Sequence, residues 1–293
     1  MKIALSAQPP FYLPSVVRSH GWIQLSPFLA DDHTGGFTYL IQLDTGRVAE
    51  IRIQEAQGGV SVAVDSPLTP KEQSEVSSKV AWMLGLDQEF GTFYALAHDE
   101  PKLAHIVSEA RGRILRSATL FEDVIKTILT TNTLWAATIR MNRNLVEQFG
   151  ASLPSDPARI AFPSPERLAA TDEETLRSST RLGYRAPYIL ELAHRVASSD
   201  LDLEGYKTAD IPTLELRKHL MAIKGVGPYA AANLLMLLGH YDFIPVDSWA
   251  LKMVSHEWYN DEPVGKAQVE AAFERWGQWK GLAYWLWSWS YNG

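Results

Sequence analysis

The sequence predicts an α+β protein, with an antiparallel β-rich segment first and helices from about residue 100 to the end. Two observations carry this. The stretch FTYLIQLDTGRVAEIRIQEAQGGVSVAVDS holds three alternating or β-branched runs. They are split by Asp44-Thr45-Gly46 and Gly58-Gly59, the turn chemistry of a meander. After residue 69 apolar residues instead recur at three and four, the helical period. A β segment followed by a long helical one is the α+β layout. The expected boundary divides a β-rich domain, 1–105, from a helical domain, 106–293.

Taken in order, GWIQLSPF (residues 21–28) reads as a fourth strand ahead of the meander. Thr69-Pro70 opens the first helix, with proline in the first turn. Further helices are expected over 120–149, ending at Gly150, and over 164–170, behind Pro163-Ser164-Pro165. Others follow over 173–181, 185–198, 213–223, 228–239, 248–257, 266–275 and 281–289. No internal repeat or low-complexity segment interrupts them.

A chain of 293 residues can bury one large core or two ordinary ones. With no cysteine, it has no disulfide, catalytic thiol, thiolate zinc site or cysteine-ligated iron–sulfur cluster. The opening MKIALSAQPPFYLP is too short in its apolar part to read as a secretory signal. The run YAAANLLMLLG falls well short of the ~20 residues that span a bilayer. These features lead us to expect a soluble, cytoplasmic, monomeric protein without a membrane partner. The net charge of −7 argues against a strongly basic nucleic-acid footprint. The acidity is concentrated, however: residues 1–100 carry 12 acidic and 6 basic side chains. The remainder is near neutral, so weak attraction to DNA survives. The histidines show no metal-binding spacing.

The densest chemistry lies in MAIKGVGPYAAANLLMLLGHYDFIPVDSWALKMV, Met221 to Val254. Two apolar helices are joined by Gly225-Val226-Gly227, glycines that permit turns a Cβ would forbid. The motif has two readings. It is a plain αα-hairpin, or its bare amides, at the positive end of a helix, seat a phosphate without any net positive charge. Asp247 likewise is either a simple N-cap before Ser248 or an anion set beside a nucleotide that the hairpin holds.

In combination, IKGVGPYAAANLLMLLGHYDFIPVDSWALKMV resembles the hairpin, Gly/Pro-rich loop and aspartate signature of the helix-hairpin-helix DNA glycosylase superfamily. GRILRSATLFEDVIKTILTTNTLWAATIRMNRNLVEQFG resembles the helix, DNA-contacting loop and second helix of the 8-oxoguanine and 3-methyladenine branches. RLGYRAPYILELA is similar to a segment of the 8-oxoguanine type. The resemblance spans about 110–257, and the β-rich start is similar to the TATA-binding-protein-like domain of both branches.

The resemblance implies a base-excision enzyme that flips a damaged base from double-stranded DNA and cuts its N-glycosidic bond. Asp247 matches the aspartate that stabilises the cationic sugar and orients water. Tyr229 stands where bifunctional members carry a lysine nucleophile. A phenol cannot form an imine, so the expected enzyme is monofunctional. The amides of Gly225, Gly227 and Tyr229 are expected to hold a DNA phosphate. The nearby Lys224 is a phosphate contact or simply exposed. The carbonyls of Met221, Ile223 and Val226 are expected to seat a monovalent cation, with no other cofactor.

Asn132 matches the residue facing the orphaned base, or is a turn residue. Tyr184 and Arg185 match a wedge that holds a kinked step apart, with ordinary packing as the other reading of Tyr184. The tail RWGQWKGLAYWLWSWS has five tryptophans, most of them expected in packing. Trp249 and Tyr284, with Tyr229, are the candidates for the base pocket. The water-based, aromatic-rich site favours alkylated purines such as 3-methyladenine, whose cationic bases attract ring faces. Leu182 to Ala186 points instead to oxidised purines such as 8-oxoguanine. A non-catalytic lesion-binding protein is the alternative of another class, and a helical protein-interaction module a third.

Overall fold

The alternating stretch forms the strands it predicts. In this computed structural model, which describes residues 1–289, the chain begins with β1 (Lys2–Ser6), α1 (Leu13–Val17) and β2 (Phe28–Asp31). Then come β3 (Gly36–Gln42), β4 (Val48–Ala56), β5 (Gly59–Val64) and α2 (Pro70–Leu84). The strands make one sheet in the order β1-β5-β4-β3-β2, each neighbouring pair antiparallel. Along β4, Ile51 and Ile53 are fully buried while Arg52 between them faces solvent, the period of two that fixes register. Thr69 and Glu72 form a reciprocal capping box at the start of α2, and Gly85 ends the helix in the left-handed region at φ 57.

GWIQLSPF is not a strand. Gly21–Gln24 is a 3-10 turn, and pairing begins only at Phe28. The turn sinks the Trp22 indole inward, where its N–H donates to Asp123 at 2.8 Å. The fifth strand is β1, a short run before the prolines whose partner, β5, lies some 55 residues along the chain.

The rest of the chain continues with α3 (Gly91–Ala97), α4 (His105–Ser108), α5 (Leu120–Thr130) and α6 (Trp135–Phe149). A small hairpin follows, β6 (Ser152–Leu153) and β7 (Asp156–Ile160), then α7 (Pro165–Ala169), α8 (Glu173–Thr180) and α9 (Ala186–Ala197). Last come α10 (Thr213–Met221), α11 (Pro228–Leu237), α12 (Ser248–Tyr259), α13 (Lys266–Ala272) and α14 (Lys280–Leu286). The expected run 120–149 is therefore two helices with a break at 131–134. The final helix stops at Leu286, because Trp287 leaves helical geometry at ψ 122.

These elements form two compact units that do not follow a single cut at 105. The first comprises Met1–Glu89 and Arg113–Thr208; the second comprises Phe90–Gly112 and the chain from Ala209 onward. In the first, α5 is buried along nearly its whole length, including Glu122, Asp123 and Lys126. Lys126 lies 2.6 Å from Glu122, which also accepts from Tyr39 of β3 at 2.5 Å. Asp123 accepts from Trp22 and from the Ser117 amide. Buried charges are tolerated only when paired and hydrogen-bonded in this way. Burial still pushes both carboxyl pKa values up. The cluster fastens α5 to the sheet and so fixes where the 131–134 break emerges.

In the second unit, residues 90–112 pack with the C-terminal helices. The Ser288 amide donates to the Lys102 carbonyl, and Lys102 pairs with Glu257 at 2.7 Å. Phe90, Phe93, Tyr241 and Trp279 form an aromatic cluster, Tyr241 and Trp279 being stacked 5.4 Å apart.

Candidate active site

The hairpin glycines have different reasons to be glycine. Gly225 sits at φ 86, a left-handed position that favours glycine, in the turn closed by the Val226 amide donating to the Ile223 carbonyl at 3.0 Å. Gly227, the N-cap of α11, has ordinary extended angles, and a Cβ built there would meet nothing within 4 Å. Neither turn geometry nor packing within the chain requires a glycine at 227. What a bare position offers is close approach of something outside the chain to the first turn of α11. Among the described residues, neither glycine amide donates to another backbone group. Lys224 is exposed beside them. Met221 is the last residue of α10, where helix carbonyls lack intrahelical partners; Ile223 follows its C-cap with its carbonyl accepting from Val226, which is buried in the turn.

Eighteen residues after Tyr229 the chain reaches Asp247, held in place by what precedes and follows it. Ile244 and Pro245 are buried anchors, and α14 braces the segment before them. The Gly281 amide donates to the Tyr241 carbonyl at 2.7 Å. A Cβ at 281 would stand 2.4 Å from the Phe243 carbonyl oxygen, so only glycine permits this approach. Asp247 is the N-cap of α12, as its sequence context suggested. Its Oδ1 accepts from the Trp249 amide at 3.0 Å and the Ala250 amide at 2.9 Å. Both bonds fall on one oxygen. The carboxylate is partly exposed rather than turned into the apolar interior.

The close packing of α14 brings Tyr284 to the same place. Tyr284 is buried, and burial first, then the Asp247 charge and Tyr229, push its phenol far above the usual range. Its hydroxyl therefore stays protonated, a neutral donor beside the carboxylate and not an acid–base partner. Trp249 is half exposed, its ring edge-on to Trp289 at 4.5 Å. Of the other tail tryptophans, Trp276 is buried, Trp279 is in the aromatic cluster and Trp287 packs against Trp258 and Phe273. In the second unit Tyr284 thus lies within electrostatic reach of Asp247 and Tyr229, and Trp249 follows Asp247 in the first turn of α12.

The remaining candidates lie in the first unit. Asn132 is exposed and left-handed at φ 48, in the break after α5. Tyr184 is 47% exposed. Arg185, by contrast, is buried: its Nη2 donates to the Thr131 carbonyl and its guanidinium lies 4.5 Å over the Tyr184 ring. Sequence reasoning passed over Leu134, which is 80% exposed at the N-cap of α6. The available signal was an apolar residue in a polar loop. Among the described residues no group of three His, Asp or Glu side chains is placed to bind a metal, and no helix is long and apolar enough to cross a membrane.

Comparison with known proteins gives this arrangement its context. The family model described as HhH-GPD superfamily base excision DNA repair protein matches residues 125–278. A probable N-glycosylase/DNA lyase of Methanothermobacter thermautotrophicus is 25% identical over 268 residues, covering 83% of this chain and 82% of its own. A DNA-3-methyladenine glycosylase of Bacillus subtilis is 25% identical over 229 residues, covering 75% and 74%. In fold, the chain resembles the Clostridium acetobutylicum 8-oxoguanine glycosylase/lyase in complex with double-stranded DNA, with a TM-score of 0.71 at 22% identity over 94% of this chain and 90% of that one.

Proposed function

The chain belongs to the HhH-GPD superfamily of base excision DNA repair proteins, and on that premise we propose that it is a monofunctional DNA glycosylase acting on an alkylated purine such as 3-methyladenine. The observation that carries the reading is Asp247: a partly exposed carboxylate whose cap bonds use one oxygen, within electrostatic reach of the buried Tyr284.

In this reading the DNA backbone rests on the amides of Gly225, Gly227 and Tyr229, with Lys224 at the rim. The carbonyls of Met221, Ile223 and Val226 would hold a monovalent cation that helps fix the phosphate. The damaged nucleotide turns out of the duplex, its base against the Trp249 and Tyr229 rings and its polar edge within reach of the neutral Tyr284 hydroxyl. As the N-glycosidic bond lengthens, positive charge grows on the sugar. Asp247 lowers the energy of that charge and directs a water to it. Two amides on Oδ1 fix the carboxylate at the start of α12. Because Tyr229 stands at the nucleophile position, water is the attacking group and the strand is left uncut. On the first unit, Asn132, Leu134 and Tyr184 are assigned to DNA contact, with Arg185 tying the Asn132 loop to Tyr184.

A cationic alkylated base leaves readily and is drawn to ring faces, and the Bacillus subtilis relative is named for 3-methyladenine. The Leu182–Ala186 segment supports a second reading, an oxidised purine, for which the Clostridium acetobutylicum protein is named. Duplexes bearing single defined lesions, assayed for abasic sites with and without alkali, decide between them. We expect release of 3-methyladenine or 7-methylguanine, with strand breaks only after alkali. Release of 8-oxoguanine alone would favour the second reading, and breaks without alkali would exclude a water-only mechanism.

Asp247→Asn separates an enzyme from a lesion binder. Asparagine caps helices well, so the fold should survive. Losing a charge aimed at the transition state should cost at least ~100-fold in single-turnover rate, with duplex affinity kept. Unaltered base release would remove Asp247 from its assigned role.

A further inference from the structure

Beside the site lies a cavity of about 280 Å³ that shares only Tyr229 with the proposed reaction, lined by Arg217, Pro228, Tyr229, Phe243, Val246 and Lys266, among others. Its charges are unusual for an acidic chain. Arg217, on α10, lies over the Phe243 ring at 4.9 Å, and its Nε is buried without a hydrogen-bond partner. Lys266, at the first position of α13, is exposed. Among the described residues neither makes an ion pair. The acidic member of the wall, Glu270, is itself engaged by Lys280 at 3.6 Å. Pro228 and Tyr229 place the first turn of the ten-residue α11 in the wall, adding the positive end of its dipole.

Two cations without an ion-pair partner and a helix start lining one small cavity are a site of positive potential without its counter-ion. We propose that this cavity is a second phosphate seat, separate from the hairpin amides, with Arg217 and Lys266 as its ligands and a backbone phosphodiester of the bound duplex as its occupant. The inference rests on the glycosylase reading for the DNA, but its chemistry, a phosphate oxyanion, stands on this cavity alone. The planar fork of Arg217 suits two phosphate oxygens, and Lys266 supplies a mobile point charge at the mouth. Tyr229 belongs both to the hairpin and to this cavity, so two nearby phosphates of one strand could be held on either side of it.

The test is the salt dependence of duplex binding by the full chain. Each phosphate neutralised contributes about 0.9 to the slope of log affinity against log salt. Arg217→Gln with Lys266→Gln should flatten the slope by about 0.9, the share of the one phosphate lost, and Lys266→Gln alone, at an exposed position, by less. Arg217→Lys with Lys266→Arg should keep it. In a second arm, inorganic phosphate at constant ionic strength should raise the melting temperature of the parent chain and not of the double Gln variant.

A flattened slope identifies the phosphate as the duplex's. A melting shift with an unchanged slope identifies a free phosphate and overturns the assignment to DNA. The absence of both changes overturns the seat altogether. A parent chain that binds duplex with salt dependence while the double variant keeps the same slope defeats this inference alone. A parent chain that releases no base from any lesion defeats the glycosylase reading instead, and leaves the phosphate arm to decide the cavity's chemistry.

Discussion

The guanidinium of Arg185 faces the protein: it donates to the carbonyl of Thr131, the residue before left-handed Asn132, and carries the Tyr184 ring on its face. A bond from an ionised donor in a buried setting contributes about 1.5–3 kcal/mol. Arg185 is therefore a positioning residue in the free chain, joining the loop at 131–134 to the Tyr184 segment. Arg185→Leu should lower the melting temperature and expose the 131–134 peptide bonds to limited proteolysis. Arg185→Lys should recover little, since an ammonium lacks the planar fork. A variant with unchanged loop protection would show that the bond does not hold the loop. Individual residues of the site were legible where chemistry is local. Asp247 was readable as a cap because cap chemistry needs only the next three residues. Arg185 as an internal tie was not, because its partner lies 54 positions away. Tyr284 was picked out as a pocket candidate on the strength of the family resemblance, and the approach of α14 at Gly281 that carries it to Asp247 leaves no local trace beyond one glycine.

At the scale of elements, the hairpin offers a clean separation of stability from ligand binding. Gly225→Ala forces a side chain into the left-handed region, at a cost of about 1–2 kcal/mol. Gly227→Ala meets no atom of the chain and adopts angles alanine accepts, so it should leave stability unchanged or raise it by roughly 0.4–1 kcal/mol. It should nevertheless weaken duplex binding, because the methyl stands where a phosphate would approach. Denaturant melts paired with duplex titrations check both. Equal losses of stability, or undiminished affinity for the Gly227 variant, would mean the hairpin is only a turn. The helices of this region were legible because their periodicity, proline starts and glycine stops are written within the segment: α10, α11 and α12 lie within a few residues of expectation. GWIQLSPF misled because its alternation is strand-like, whereas the Trp22 bond to Asp123, a hundred residues on, makes it a turn. The run 120–149 hid its break because the break at Asn132 depends on backbone geometry more than on polarity.

At the scale of the whole molecule, long-range packing decides what composition cannot. Residues 90–112 join the C-terminal helices through ties such as Lys102 with Glu257, and nothing in the local pattern foretells that grouping. The same holds for titration. His20 donates from Nε2 to the Leu115 carbonyl at 2.6 Å, and burial, with Lys126 nearby, lowers its pKa to about 4. An unfolded histidine titrates near 6.5, so between about pH 6.5 and 4 the unfolded chain binds the extra proton and the folded one refuses it. Stability must then fall as pH drops through that window, by up to roughly 3 kcal/mol from this residue. Glu122 and Asp123 act in the opposite sense: their raised pKa values add stability on acidification and lose it as pH rises. A single melting curve mixes both signs, whereas the difference from His20→Gln, which keeps a donor for Leu115, isolates the histidine. The parent should lose roughly 5–10 °C more than the variant between pH 7 and pH 4.5. Parallel curves for the two proteins would mean that His20 takes up its proton in the fold as readily as in the unfolded chain.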